Sequence, residues 1–304
     1  MTTNVDEEYD EVLCQYVSSR GLLKSCTSHC KYPISSIRSS NHVDIAKLID
    51  GDTIYICSSA LPDFVNRILP NIKTRFILLS GDSDVSVPTG ILTDCDFDIL
   101  MNNRYLIVLF AQNLVFSPKT YPKLRYLPIG LDYHTVANNN MWWGPQCSPK
   151  TQEQLLFAVS KKARPFYERL PTAYSTFHFV LHRGGRQQAY DQIPKELIYY
   201  EPSATNRLKS WKTQSEYAFV ASPPGEGLDC HRTWEALCLG CIPILISTPL
   251  DDMFEGLPVL IVKSWSDVTK ELLDNTISEY SKKEFCMDKL YLPYWLEQIS
   301  KEIM

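Results

Sequence analysis

The densest collection of chemically useful side chains lies in Ser222–Pro243, SPPGEGLDCHRTWEALCLGCIP. A strand of buried type, Tyr217–Ala221, runs into the turn Ser222-Pro223-Pro224-Gly225-Glu226-Gly227. Leu228-Asp229-Cys230-His231 then opens a helix through Arg232, Trp234, Glu235 and Leu239, with Asp229 or Ser222 as its cap and Gly240 as its end. A helix start preceded by glycines presents free backbone amides and the positive end of the helix dipole, which suits a diphosphate. Arg232 adds a charge-assisted contact to that anion, and Glu235, a turn further on, can accept hydrogen bonds from a ribose diol. A ligand-free strand–turn–helix would also produce Gly-x-Gly. The company of Glu226, His231, Arg232 and Glu235 favours a ligand site.

Other turns carry candidates for proton transfer. Gly81-Asp82-Ser83-Asp84 follows the strand RFILLS and supplies Asp82 or Asp84 as a general base. The same Asp-x-Asp is a rival metal signature, in which a divalent cation holds a donor diphosphate. In Gly130-Leu131-Asp132-Tyr133-His134, Asp132 and His134 are competing base candidates, with helix capping as the structural alternative for Asp132. Arg20 lies in a polar loop as either an acceptor contact or a surface charge. Arg186, at a short helix start, is a second-rank phosphate candidate, and His182 receives no role. Trp142 and Trp143 suit either sugar stacking or linker packing. The spacings Cys238-x-x-Cys241 and Cys26/His29/Cys30 match half a metal or redox site, but neither has a second half, so packing is the better reading.

These turns need strands to hold them. Thr53–Cys57, Arg75–Ser80, Leu106–Phe110 and Leu124–Pro128 are short apolar runs, each ending in a polar turn, with a helical stretch near Phe64–Leu69. The pattern stops between Asn138 and Pro149, which reads as a linker or cleft-lining loop. A second series follows: helices at Gln152–Lys161 and Asn206–Gln214, and strands at Phe177–Leu181, Leu197–Tyr200, Tyr217–Ala221, Ile242–Ile246 and Val259–Val262. A last helix spans Ser266–Tyr280, capped by Ser266 or Asp267. Alternating strands and helices predict an α/β protein with parallel sheets, whose ligands gather at the carboxyl ends of strands.

Composition narrows the function. A net charge of −5 without a basic run argues against a nucleic-acid surface. The acidic start MTTNVDEEYDEV is unlike a secretory signal, and no apolar run reaches the ~18 residues of a membrane span, so the expected compartment is the cytoplasm. The ten cysteines do not form a disulfide scaffold pattern.

SPPGEGLDCHRTWEALCLGCIPI resembles the C-terminal lobe of exostosin-family glycosyltransferases, including the short versions of large DNA viruses of algae and amoebae. FHFVLHRGGRQQAYDQIP, ELIYYEP and LPIGLDYHT fit the same comparison. The resemblance is strongest over Phe177–Val262. It implies a GT-B architecture, two Rossmann-like lobes facing a cleft: residues 1–149 on the acceptor side, and residues 150–304 binding the sugar nucleotide, with the last helix packing back on the first lobe. It implies transfer from a UDP-sugar, a pentose or uronic acid among the candidates, to a glycan or glycoprotein hydroxyl. Inversion is expected, and no cofactor is required, a divalent metal being allowed for but not expected. By motif, Arg183 and Arg232 fall near the diphosphate, Glu235 at the ribose and Glu226 near the sugar. Ser222, Gly225, Gly227 and His231 complete the donor site. The chain departs from animal exostosins in being short and lacking an anchor, which removes the Golgi expectation and points to the cytoplasm, the host's if the chain is viral. The alternatives are an Asp-x-Asp metal-dependent transferase and a non-catalytic sugar-nucleotide-binding module.

Overall fold

A computed structural model describes residues 9–138 and 143–303. Trp142 and part of the Asn138–Pro149 linker lie outside the described residues. Among the described residues, nine strands form two all-parallel sheets in a mixed α/β arrangement compatible with a Rossmann-like fold. The first sheet has the order β1 (Asp52–Cys57), β2 (Phe76–Gly81), β3 (Leu106–Ala111), β4 (Leu124–Tyr126). The second contains β5 (Leu170–Ser175), β6 (Ile198–Tyr200), β7 (Tyr217–Ala221), β8 (Ile242–Ile246) and β9 (Leu260–Val262), in the order β6-β5-β7-β8-β9. The longer helices are α1 (Ser19–Lys24), α2 (Asp94–Met101), α3 (Pro149–Lys162), α4 (Arg186–Gln192), α5 (Arg207–Gln214), α6 (His231–Cys238), α7 (Lys270–Tyr280) and α8 (Leu292–Lys301). Among the described residues, no helix is long and apolar enough to cross a membrane.

The second sheet is apolar on both faces because each is covered. Alternation along the strands sends Ala173, Phe219 and Ile244 into one core with Ala189 of α4 and Leu273 of α7. Tyr174, Val220 and Leu245 enter the other, with Leu156 of α3, Trp211 of α5 and Trp234 of α6. That second core is continuous with the interior of the first sheet, where Ile54, Leu78 and Leu109 are buried. Helix α8 belongs to the same core through Leu292, Trp295 and Ile299. It also reaches the N-terminal segment, where the Leu292 amide donates to the Gln15 carbonyl at 2.8 Å. Arg125 on β4 pairs with Glu302 at 2.6 Å.

Several elements differ from the sequence expectation. Phe177–Leu181 is not a strand: Phe177–Val180 is a 3₁₀ turn, and the strand before it is Leu170–Ser175. Of that apolar run only Phe177 is fully buried, so the remainder is free to turn across the sheet end. The Ser266–Tyr280 helix is in two pieces: a turn at Trp265–Asp267 closed by a Ser264/Asp267 capping box, and α7, capped by the Thr269 side chain. Helix α6 begins at His231, not Leu228, and no side chain caps it from Cys230. Gly240, at φ +71°, takes the left-handed conformation that stops α6 and leads into β8.

Candidate functional site

In the second sheet β5 and β7 are neighbours, yet the chain leaves β5 toward β6 on one side and β7 toward β8 on the other. Loops that part in this way leave a crevice above the carboxyl ends of the two strands, where ligands of α/β sheets bind. Its rims are His182–Arg186 after β5 and Ser222–Gly227 after β7. The rims are pressed together: a Cβ on Gly184, whose φ is +50°, would lie 2.5 Å from the Gly225 carbonyl oxygen. Only glycine fits there.

Arginines crowd this crevice. Arg186 Nε donates to the Pro224 carbonyl at 3.3 Å, and its Nη1 to the Val180 carbonyl at 3.4 Å. Arg232 Nη1 donates to the Pro223 carbonyl at 3.3 Å. Arg183 pairs with Glu226 at 3.3 Å, both side chains remaining about half exposed. Burial, reinforced by the positive fields of Arg232 and Arg183, lowers the pKa of Arg186 to about 10. Glu226 is the carboxylate paired at these guanidiniums, so the crevice carries an excess of positive charge that an anion would relieve. Ser222, predicted as a cap or donor contact, is buried and shares a 2.9 Å hydrogen bond with Thr233.

Asp229 does not cap α6 either. Its buried carboxylate accepts from the Trp234 indole at 2.9 Å, the Cys230 amide at 2.9 Å and the Ile129 amide after β4 at 2.8 Å. Burial raises its pKa to about 6 against those donors. Asn113, after β3, accepts from the Asp229 amide at 2.9 Å. A Cβ on Gly227 would sit 2.9 Å from Asn113 Nδ2, so this glycine makes room for Asn113. The loops at the carboxyl ends of β3 and β4 thus meet the loop after β7.

A second cluster forms along the same seam. His134 Nδ1 lies 3.1 Å from Asp132 Oδ1, and the Thr135 amide donates to that oxygen at 3.0 Å. Asp132 therefore accepts from a first-turn amide of the short His134–Ala137 helix, without being its N-cap, and also lies beside a histidine. Burial alone would raise the Asp132 pKa, but the fields of His231, His134 and Arg207 take it well below the usual carboxylate range. Burial drives His134 down to about 4 despite Asp132. At neutral pH the pair is a carboxylate beside a neutral imidazole. Nε2 makes no hydrogen bond among the described residues. His231, at the start of α6, places its Nδ1 2.7 Å from the Gly130 carbonyl.

Glu235 lies on this seam too, paired with Arg207 Nε at 3.4 Å. Asp82 stands apart from Asp84. It is buried, at φ +57°, paired with Arg20 at 3.2 Å and accepting from Ser35 at 3.0 Å, while Asp84 is exposed. Burial raises the Asp82 pKa, with Arg20, Ser35 and His231 opposing.

The structure thus gathers Arg183, Glu226, Arg232 and Gly225 at the crevice, and Asp132, His134, His231 and Glu235 on the seam beside it. Arg186 belongs with the first group. Sequence reasoning missed Arg207 altogether and left Arg20 ambiguous. Its signal was the unmatched polarity of Ser18–Arg20, which proves to be buried. Trp143 is 46% exposed, with its ring 5.7 Å from Arg207. Cys238 and Cys241 are buried free thiols, and Cys241 accepts from Arg169 at 3.2 Å, in keeping with packing.

No family model matches this chain, and no curated protein matches it.

Proposed function

We propose that the protein is a glycosyltransferase of GT-B type that binds the diphosphate of a sugar nucleotide at the β5/β7 crevice. The observation that carries this reading is the set Arg183, Arg186 and Arg232 around the Pro223–Glu226 turn. Guanidiniums in fork geometry suit phosphate oxygens, and their charge stabilises the diphosphate as it leaves. UDP as the nucleotide follows from the resemblance alone.

The reaction assigned here begins when an acceptor hydroxyl oxygen attacks the anomeric carbon of the donor. The bond from that carbon to the diphosphate oxygen breaks, the configuration inverts, and the hydroxyl proton passes to His134 Nε2. Asp132, whose Oδ1 lies 3.1 Å from Nδ1, stabilises the imidazolium that forms. Asp82, bound by Arg20 and Ser35, is poorly available as a metal ligand, which favours the arginines over the Asp-x-Asp alternative.

A screen of sugar-nucleotide hydrolysis and transfer, with and without chelator, tests this. The expected result is turnover of a subset of donors that survives the chelator. Loss of turnover with the chelator would favour the metal-dependent alternative, and donor binding without turnover the non-catalytic module.

A further inference from the structure

We propose that Arg207 is a positioning residue that holds the Asp132–His134 pair and Glu235 on a single guanidinium. Arg207 opens α5, whose start is capped by Asn206, so its side chain leaves the second sheet at the seam. Its Nη2 lies 3.5 Å from Asp132 Oδ2, and its Nη1 donates to the Asp132 carbonyl and, at 3.1 Å, to Gln152 Oε1. Its Nε faces Glu235 at 3.4 Å. The side chain is 10% exposed and lies beside the rings of Trp143 and Trp211. Gln152 is itself fixed by donating to the Tyr133 carbonyl at 2.9 Å, so the segment 132–134 is gripped from two sides.

A rigid planar fork can serve these acceptors at once, whereas a lysine ammonium cannot span them. Without Arg207, Asp132 and Glu235 would be two carboxylates on one seam with a lost partner, and the carboxylate 3.1 Å from His134 Nδ1 would lose its anchor. The titratable groups facing the pair are His231 from α6, Arg207 from α5, and Arg20 and Asp82 from the first-sheet side. Arg207 acts through Asp132 and not on substrate; its importance for transfer rests on the proposed function, whereas its hold on the pair does not.

Titration of His134 by histidine NMR in the wild type and in Arg207→Gln tests the proposal without any turnover. Removing the cation and loosening the seam should raise the His134 midpoint by about one pH unit, with far-UV circular dichroism unchanged. An unmoved midpoint in a folded variant would overturn the proposal and leave Arg207 a packing residue. If Arg207→Gln does not fold, Arg207→Lys gives the same reading. It should raise the midpoint by a smaller amount, because charge is retained and the fork is lost, and no shift there would equally overturn it. Where transfer is measurable, the acid limb of the pH–rate profile should move up with the midpoint. Absence of transfer in the wild type would defeat the functional reading while leaving the titration decisive.

Discussion

Arg232 sits at the first turn of α6 with its guanidinium against the Pro223 carbonyl, so its charge is directed at the crevice and away from the core. Arg232→Ala should lower kcat/KM by about 100-fold with little change in melting temperature, as loss of one preorganised donor to a developing anion does. Steady-state kinetics beside a thermal melt separates this from misfolding. His134 makes a second prediction. Its pKa in the folded protein, about 4, lies below the free value of 6.5, so the imidazole stays neutral well into acid. The acid limb of activity should therefore fall nearer pH 4 than pH 6.5. By linkage, the stability this group contributes is fully present above 6.5 and is lost as pH falls through about 4. In His134→Asn, denaturant melts across that window should lose this part of the acid slope. At this scale the sequence was informative where one segment held several functional groups, as from Gly225 to Glu235. It was silent on Arg207, whose partners Asp132, Gln152 and Glu235 come from three distant segments and meet only through the fold.

Elements were legible to the extent that their hydrophobic pattern was local. The strand Tyr217–Ala221 was read to the residue because every side chain in YAFVA is buried. Leu170–Ser175 escaped, since LPTAYS contains a proline, two small polar residues and an exposed leucine, yet it lies centrally between β6 and β7. Its neighbour FHFVL has the better apolar run and forms a turn, because that stretch crosses the sheet end and does not continue into the sheet. The rim contact gives an element-scale test. Gly184→Ala would force a Cβ to 2.5 Å from the Gly225 oxygen at a φ of +50°, so the two rims must separate. Donor binding measured by calorimetry should fall at least tenfold, and the variant should lose about 1–2 kcal/mol of stability.

For the whole molecule, the two sheets share one continuous core and are tied at the ends of their strands. Asp229 is the principal polar tie, taking the Ile129 amide from the first sheet's side and the Trp234 indole from the second's. Asp229→Ala would leave buried donors without an acceptor, and urea denaturation should show a loss of about 3 kcal/mol or more. The expectation of two parallel-sheet units came from alternating strand and helix patterns and needed no knowledge of the seam. The seam itself was not legible, because Asn113, Ile129 and Gly130 are ordinary residues whose backbone or amide groups become ties only when the second sheet arrives. The central claim is that the arginines at the β5/β7 crevice bind a nucleoside diphosphate, and calorimetric titration with UDP and with uridine tests it most directly. UDP should bind about 100-fold more tightly than uridine, and Arg186→Ala with Arg232→Ala should abolish that preference. Equal affinity for UDP and uridine, or a preference that survives the double substitution, would contradict the account.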